Sequence, residues 1–261
     1  MKHLQTFFPI VFLFFFALGC QQPASEKNNA TTTKSGGIDR SVLPIKEPTY
    51  PAYTELDARN AKAPARFEVK APEKAPNVVI VLIDDIGYGH SSAFGGPINM
   101  PTLEKLAAKG LKYNRLHTTA LCSPTRTALL TGYNHHSNNA GAIMELATAF
   151  PGNTGVRPQS ITPAAQVLRL NGYSTAAFGK YHETAPWEVS VSGPFDRWPT
   201  GSGFDKFYGF IGGEANQWYP TLYEGTTPVE LKKTPEEGYH LLPDMTDKAI
   251  KWIGQQKALT P

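Results

Sequence analysis

Cysteine is scarce in this chain, which has two cysteines among 261 residues. Cys20 directly follows an apolar N-terminal segment, so Cys122 is the one cysteine in the remainder of the sequence. An exported domain normally pairs its cysteines in disulfides. This composition excludes a disulfide framework. Cys122 is therefore either a small buried apolar residue or a residue with a chemical function.

Strong charge of one sign is also absent. The chain has 25 basic and 22 acidic residues, and its net charge is +3. No basic run interrupts this balance, and no internal repeat is visible. The composition therefore excludes nucleic acid as a predicted partner.

Only one long hydrophobic run is present, at residues 7–18, where Pro9 is the single interruption. Its length of about a dozen residues is typical of a signal-peptide core and falls short of the roughly 20 needed to span a bilayer. The run ends at Ala17-Leu18-Gly19-Cys20, which resembles a bacterial lipobox. We expect a signal peptide over residues 1–19 and a lipid on Cys20, with an ordinary cleaved signal as the alternative.

Residues 20–37 are polar and small, and they contain too little apolar surface to offset the entropy cost of ordering. We interpret them as a lipoprotein tether. An aspartate directly after the lipidated cysteine typically retains such proteins at the inner membrane. This chain has Gln21-Gln22 there instead. The predicted location is therefore the periplasm, with the protein anchored in the outer membrane through its N-terminal lipid.

Two further parts follow the tether. Residues 38–76 alternate prolines with single apolar residues and predict an extended lead-in rather than a core. Residues 77–261 are long enough to form one domain with a substantial core. In this domain, strands are predicted at 77–83, 111–119 and 174–178, and helices at 102–109, 125–131, 163–171 and 246–257.

The helix and strand signals have local physical causes. The β-branched run at 77–83 shows no alternation, which suits a strand buried on both faces of a parallel sheet. Ser123 is a predicted N-cap with Pro124 in the first turn, and Thr162 is a predicted N-cap before Pro163. Strands that alternate with helices favour an α/β sandwich around a mostly parallel central sheet.

Several polar residues occur at the ends of these elements. Asp84, Asp85 and Lys180 follow predicted strands directly, and Cys122 begins a helix after another strand. In open α/β sheets, ligands bind at the carboxyl edge of the strands. We expect these side chains to converge on one cleft.

The sequence Cys122-Ser-Pro-Thr-Arg126, followed by Leu130-Thr131-Gly132, resembles the signature of the sulfatase family. In that family the cysteine is oxidised to formylglycine by a formylglycine-generating enzyme. The resemblance implies an alkaline-phosphatase-like α/β/α sandwich that hydrolyses sulfate esters, above all aryl sulfates. It also implies that Arg126 braces the modified side chain.

The implied chemistry explains why a serine would not replace this residue. One hydroxyl of the hydrated aldehyde attacks sulfur and displaces the alcohol, which gives a covalent sulfate. The second hydroxyl then loses its proton and expels sulfate. A helix N-terminus at Cys122 favours the anionic substrate through its free N–H groups and its dipole.

Asp84 and Asp85 resemble the first pair of metal ligands in the family, with the modified Cys122 as a further ligand. Adjacent carboxylates in a cleft repel each other, and a divalent cation relieves that repulsion. Hard oxygen ligands fit one calcium ion per site, with magnesium as the alternative. The resemblance implies that the metal polarises the sulfate.

Gly179-Lys180-Tyr181-His182 resembles the Gly-Lys-Trp-His stretch of the family, with tyrosine in place of tryptophan. Lys180 would hold a sulfate oxygen, and His182 would contact the nucleophile or the substrate. The segments 196–200, 203–205, 209–214 and 216–219 resemble one arylsulfatase branch and predict a pocket wall. In that wall Trp218 and Tyr219 either stack on an aryl group or pack in the core.

The resemblance runs from about residue 72 to residue 261. Family members carry a further aspartate, asparagine, histidine and lysine at the site, and no segment with these residues is visible here. We therefore expect a truncated catalytic domain that is inactive alone.

The sequence does not identify the natural substrate, which is either a small-molecule sulfate ester or a glycan sulfate ester. Two alternatives remain: a formylglycine-dependent phosphodiesterase or phosphonate monoester hydrolase, and a lipid-anchored protein that binds sulfated ligands without turnover.

Overall fold

The fold is described from a computed structural model that covers residues 38–259. The signal peptide, Cys20 and the tether expected at 1–37 lie outside these residues. The elements of the described part follow in chain order: α1 Pro101–Lys109, α2 Cys122–Thr131, α3 Ala164–Leu170, β1 Ala176–Lys180, β2 Lys206–Phe210, β3 Leu222–Glu224, β4 Thr227–Val229 and α4 Leu241–Leu259. None of the helices in this part is long and apolar enough to cross a membrane.

The described strands form one open sheet in the order β1-β2-β3-β4. β1 and β2 are parallel, with Ala176 opposite Lys206 and Lys180 opposite Phe210. The pairs β2–β3 and β3–β4 are antiparallel. The described sheet is therefore mixed, and only its β1–β2 pair has the parallel arrangement that the sequence predicted for most of the sheet.

Successive residues of β2 point to opposite faces of the sheet and enter separate cores. Phe207 packs with Tyr181, Trp198 and Ile211 on one face, while Tyr208 packs on the other face against Leu222 and Leu241. The period of two along a strand explains this division. Leu241 belongs to α4, so the helix covers one face and the Trp198 cluster covers the other.

Two predicted strands are wrong. Residues 77–83 and 111–119 form neither strand nor helix, and Val79 and Val81 remain 75% and 77% exposed. A β-branched run becomes a strand only when a neighbour accepts its backbone hydrogen bonds and covers its side chains. No described strand pairs with either segment.

The predicted helices all occur, but each begins at another residue, with α1 only one residue early at Pro101. α2 begins at Cys122 with Leu121 as its N-cap, so Ser123 lies inside the helix and is not its cap. α3 has Pro163 in the N-cap position instead of Thr162. α4 begins at Leu241 rather than Thr246. Pro243 lies in its first turn, where backbone N–H groups have no helical partner, so the proline is compatible with this earlier start.

The lead-in at 38–76 contains no helix or strand, and hydrogen bonds attach it to the turn after α3. Arg40 Nη1 donates to the Asn171 carbonyl oxygen at 2.8 Å, and the Ala71 N–H donates to the Gly172 carbonyl oxygen at 3.1 Å. Gly172 has φ +86°, and a Cβ there would lie 2.4 Å from the Lys70 carbonyl carbon. Glycine is therefore required at this crossing.

Candidate active site

The carboxyl edge of the β1–β2 pair carries the predicted site residues. Lys180 is the last residue of β1, and Phe210, its partner, is the last residue of β2. Beyond the strands, the N–H groups of Tyr181 and His182 donate to the carbonyl oxygens of Phe210 and Ile211, both at 3.0 Å. These two hydrogen bonds continue the β1–β2 pairing and fix the backbone positions of Lys180 and His182.

Three side chains from distant parts of the sequence meet at this edge. Lys180 Nζ lies 2.6 Å from Asp84 Oδ2, and Arg126 Nη2 lies 3.4 Å from Asp84 Oδ1. Arg126 Nη1 also donates to the Lys180 carbonyl oxygen at 2.7 Å. The sequence predicted that Asp84 and Lys180 converge, and this contact occurs even though residues 77–83 are not a strand.

The two cations determine the charge state of Asp84. Partial burial raises the pKa of Asp84, but the hydrogen bond from Lys180 and the charge of Arg126 outweigh burial and hold the pKa below its usual value. The Arg126 and Lys180 side chains are 12% and 9% exposed. Asp84 is therefore an ionised counterion for two largely desolvated cations, which are suited to hold an anion.

Cys122 lies at the first position of α2, one turn before Arg126, and its free thiol is partly exposed. The first backbone N–H groups of a helix have no intrahelical partner and favour a negative charge. Asp85 is exposed, and its φ of +51° is unusual for a residue with a side chain. The structure thus leaves the side chains of Cys122 and Asp85 accessible, with Cys122 one helical turn before Arg126 and Asp85 next to Asp84 in the chain.

The donors fit calcium in type but do not fill its coordination shell. Asp84 and Asp85 offer carboxylate oxygens, which calcium prefers, yet calcium takes six to eight oxygen ligands. Among residues 38–259 no group of three or more His, Cys, Asp or Glu side chains is placed to hold a metal. Asp84 also already pairs with Lys180 and Arg126. The described residues therefore supply two carboxylates and no complete metal site.

His182 belongs to a second cluster that contains Glu145, a residue the sequence analysis missed. His182 Nε2 lies 2.7 Å from Glu145 Oε2. Burial lowers the pKa of His182, Glu145 opposes this effect, and the charges of Lys180 and Arg126 lower the pKa further. Glu145 lies in a short 3-10 turn, Met144–Leu146, where no motif or spacing distinguishes it from a surface acid.

Tyr181, which replaces the tryptophan of the family pattern, is a core residue. It is 6% exposed, and its hydroxyl donates to Ser202 Oγ at 2.7 Å. Burial raises its pKa to about 12, so the hydroxyl remains neutral. The substitution therefore changes the core beneath the site and leaves Lys180 and His182 in place.

The next residue, Glu183, was also missed. It is 3% exposed, and its Oε1 has no hydrogen-bond partner within the described part of the chain. Burial raises its pKa well above the usual value, against smaller opposing effects of a hydrogen bond from Thr127 and the charges of Arg157 and Arg126. Glu183 is thus a buried acid whose neutral form is favoured.

A raised pKa of a carboxyl group in the folded state makes stability fall as pH rises. The stability is fully present below the unfolded value of 4.5 and is lost between that value and the folded pKa, because the unfolded chain releases the proton first. We expect Glu183→Gln to flatten this dependence and to raise the melting temperature at pH 8. Each kcal/mol regained corresponds to about 2–4 °C.

The matched control for this prediction is Glu230→Gln, which removes a carboxyl group from an exposed position. Differential scanning calorimetry from pH 4 to pH 8 gives the comparison. A Glu183→Gln protein that loses the same stability as wild type over this range would show that Glu183 does not titrate as a buried acid.

A cleft of about 660 Å³ follows β2 at the same edge. Its lining residues are Val189, Phe210, Ile211, Gly212, Glu214, Ala215, Asn216, Tyr219, Thr221 and Tyr223. Tyr219 and its neighbour Trp218 are 63% and 51% exposed, whereas Trp198 is fully buried. Six residues of the predicted pocket wall line the cleft: Phe210, Ile211, Gly212, Glu214, Asn216 and Tyr219. Trp198 is a core residue instead, and the exposure of Trp218 and Tyr219 excludes core packing for both.

Together, the sheet edge, its two desolvated cations and the cysteine at a helix start define an α/β protein with a candidate anion site. Residues 76–261 match the family model for sulfatases. The chain belongs to the sulfatase family. Members of this family act on sulfate esters and generally use formylglycine and a divalent cation.

Individual relatives agree with this assignment. The chain is 30% identical over 159 residues to an uncharacterized sulfatase of Schizosaccharomyces pombe, covering 58% of this chain and 27% of the relative. It is 29% identical over 159 residues to an arylsulfatase of Klebsiella aerogenes, covering 60% and 32%. It is also 35% identical over 141 residues to human arylsulfatase A, covering 53% and 26%. The aligned part thus spans about a quarter to a third of these relatives.

Solved structures show the same fold. The crystal structure of Ps i-CgsB matches with a TM-score of 0.50 and 23% identity, over 66% of this chain and 40% of that one. The PsFucS1 sulfatase from Pseudoalteromonas sp. matches with a TM-score of 0.50 and 21% identity, over 67% and 39%. The α/β fold class expected from the sequence is confirmed.

Proposed function

We propose that the protein hydrolyses sulfate esters, with aryl sulfates as its substrates, through a formylglycine made from Cys122. One observation carries this proposal. Asp84, Arg126 and Lys180 lie far apart in the sequence yet contact one another beside the helix that begins at Cys122. Arg126 follows Cys122 by one helical turn, and a purely structural cysteine would not require this cluster of desolvated cations in the same helix and at the adjoining sheet edge.

Each residue has a distinct role in this proposal. Lys180 and Arg126 bind the negative oxygens of the sulfate through charge-assisted hydrogen bonds. Asp84 keeps both cations oriented when no anion is present. Arg126 also holds the α2 start against β1 through the Lys180 carbonyl oxygen, which fixes residue 122 relative to the bound sulfate.

Asp84 and Asp85 are the residues that would hold calcium. The bound ion would supply Lewis-acid polarisation of the sulfate and of the nucleophile.

The partner required for maturation is a formylglycine-generating enzyme. We also propose export to the periplasm as a lipoprotein, based on the sequence around Cys20 alone.

The test compares two substrate classes with the full-length protein, produced together with a formylglycine-generating enzyme. We expect an aldehyde or its hydrate at position 122 by peptide mass spectrometry. Turnover of 4-nitrophenyl sulfate should exceed that of bis(4-nitrophenyl) phosphate. Faster diester hydrolysis would favour the phosphodiesterase alternative, and full sulfatase activity with an unmodified Cys122 would contradict the mechanism.

Calcium should stabilise the full-length protein by mass action. At a calcium concentration 100 times the dissociation constant, the expected gain is about 2.7 kcal/mol. Asp84→Asn and Asp85→Asn should each remove most of the rise in melting temperature, because each removes a charged ligand. The matched control is Asp247→Asn at an exposed position in α4. Equal calcium responses of wild type and the two ligand variants would argue against this site.

A further inference from the structure

The backbone at His182 holds its side chain in one place. His182 has φ +56°, in the left-handed region that few residues with side chains adopt. Its N–H donates to the Ile211 carbonyl oxygen at 3.0 Å, and the residue is 2% exposed. Such a conformation costs of order 1–3 kcal/mol and persists where the surroundings determine it. The imidazole orientation is therefore imposed by the fold.

Glu145 contacts this imidazole from an anchored turn. The Asn153 side-chain amide donates to the Leu146 carbonyl oxygen at 3.0 Å, and the Leu146 N–H donates to the Ile143 carbonyl oxygen at 2.9 Å. These bonds tie both ends of the turn. The carboxylate thereby reaches His182 Nε2 at 2.7 Å, although almost half of the Glu145 side chain is exposed.

Gly213 packs directly against the contact between His182 and Glu145. A Cβ at this position would lie 2.8 Å from His182 Cε1 and 2.9 Å from His182 Nε2. The Gly213 N–H also donates to the Glu145 carboxylate. Only a glycine leaves room for the ring and the carboxylate together.

The contact between His182 and Glu145 determines which ring nitrogen of the imidazole carries the proton. Partial burial raises the pKa of Glu145, but hydrogen bonds from His182 and from the N–H groups of Glu145 and Gly213 outweigh burial and lower the pKa. An ionised carboxylate only accepts hydrogen bonds, so Nε2 carries the proton of the neutral ring. Nδ1 is then an unprotonated acceptor, buried and with no partner in residues 38–259.

We propose that Glu145 is a positioning residue that holds His182 as its Nε2–H tautomer and so presents Nδ1 as the proton acceptor of the site. This role rests on the proposed sulfatase function. In the proposed reaction, the second hydroxyl of the hydrated formylglycine at residue 122 gives its proton to Nδ1. The oxygen keeps the electron pair and forms the aldehyde C=O as the C–O bond to sulfate breaks, while the Glu145 carboxylate stabilises the cationic ring. The ring becomes neutral again when its proton passes to the departing sulfate or to the water that replaces it.

Charged groups around the ring set the direction of the pH effect. Glu145 favours the protonated ring, while Lys180 and Arg126 disfavour it. Removing the Glu145 charge therefore lowers the pKa of His182. The acidic limb of kcat/KM should move to lower pH in Glu145→Gln. A merely structural role would lower activity without moving this limb.

The test uses the full-length protein, labelled with 15N-histidine. Wild type should show His182 protonated at Nε2, and Glu145→Gln should lose this single tautomer. We expect kcat to fall about 10–100-fold, as for partners that orient an essential histidine, with partial rescue in Glu145→Asp. In a His182→Gln background, Glu145→Gln should cause no further loss. The matched control is Glu104→Gln on the exposed side of α1.

The NMR readout separates this proposal from the proposed function. If wild type has no sulfatase activity, the proposed function fails, while the tautomer of His182 still decides the role of Glu145. An Nδ1–H tautomer in wild type would overturn the proposal. Unchanged tautomer, kcat and pH profile in a folded Glu145→Gln protein would overturn it as well.

Discussion

Cys122→Ser is expected to abolish multiple turnover while the protein keeps its fold. Serine preserves the helix start at residue 122 and supplies one hydroxyl oxygen, so sulfate binding by Arg126 and Lys180, as proposed, should persist. A single hydroxyl can attack sulfur once, but no second hydroxyl remains to expel the sulfate. We expect the steady-state rate to fall by about a thousandfold or more, as for other essential nucleophiles.

The stalled enzyme provides the measurement. Mass spectrometry of the variant after incubation with 4-nitrophenyl sulfate should show a sulfate group on residue 122, with at most one nitrophenol released per molecule. The matched control is Cys20→Ser, the same change at the other cysteine of the chain. It should leave turnover intact and prevent lipid attachment.

A plain cysteine nucleophile makes the opposite prediction for wild type. A thiolate that attacks sulfur would form a sulfur–sulfur bond with no simple route to release sulfate. Unmodified Cys122 in a fully active protein would therefore contradict the formylglycine mechanism. Full activity of Cys122→Ser would contradict it too.

Arg126→Lys should lower kcat/KM by about a hundredfold, although it preserves the charge. The Arg126 fork donates to the Lys180 carbonyl oxygen at 2.7 Å and pairs with Asp84 at 3.4 Å. A lysine ammonium is a single point donor and cannot span both. Losing one charge-assisted hydrogen bond removes about 1.5–3 kcal/mol, and each 1.36 kcal/mol is tenfold in rate.

Arg169→Lys is the matched control for this change. Arg169 is 43% exposed and lies 3.9 Å from Asp205, so lysine replaces it in a screened surface pair of little energetic value. Steady-state kinetics and calorimetry should show normal turnover for Arg169→Lys. If Arg126→Lys equals wild type in kcat/KM, the guanidinium geometry is not part of the site.

Local signals in the sequence predicted some elements correctly. Gly132 ends α2 with φ +72°, and its N–H bonds to the Ala128 carbonyl oxygen. This is the cap that the sequence pattern indicated. Helices depend mainly on bonds within one segment, so their existence was predictable while their first residues were not. Leu121, rather than Ser123, is the N-cap of α2, and the buried Ser123 Oγ instead accepts a hydrogen bond from the Met144 N–H at 3.4 Å.

Residues 77–83 show where local reasoning fails. Their composition is that of a buried strand, but strand formation depends on a neighbour that no single segment contains. The same run nevertheless ends at Asp84, which reaches Lys180. The contact of Asp84 with the site was predictable from the sequence, whereas the secondary structure of residues 77–83 was not.

The sequence by itself determined the family and the candidate residues on which the proposed chemistry rests: a lone cysteine in a signature around Arg126, a pair of acids, and a lysine and histidine at fixed spacing. These depend on residue identity and order. Only the tertiary structure decided that Asp84 pairs with both cations, that Glu145 holds His182 and that Glu183 is buried. Contacts between residues tens of positions apart arise from how the sheet edge and the helix starts pack, and no local pattern encodes them.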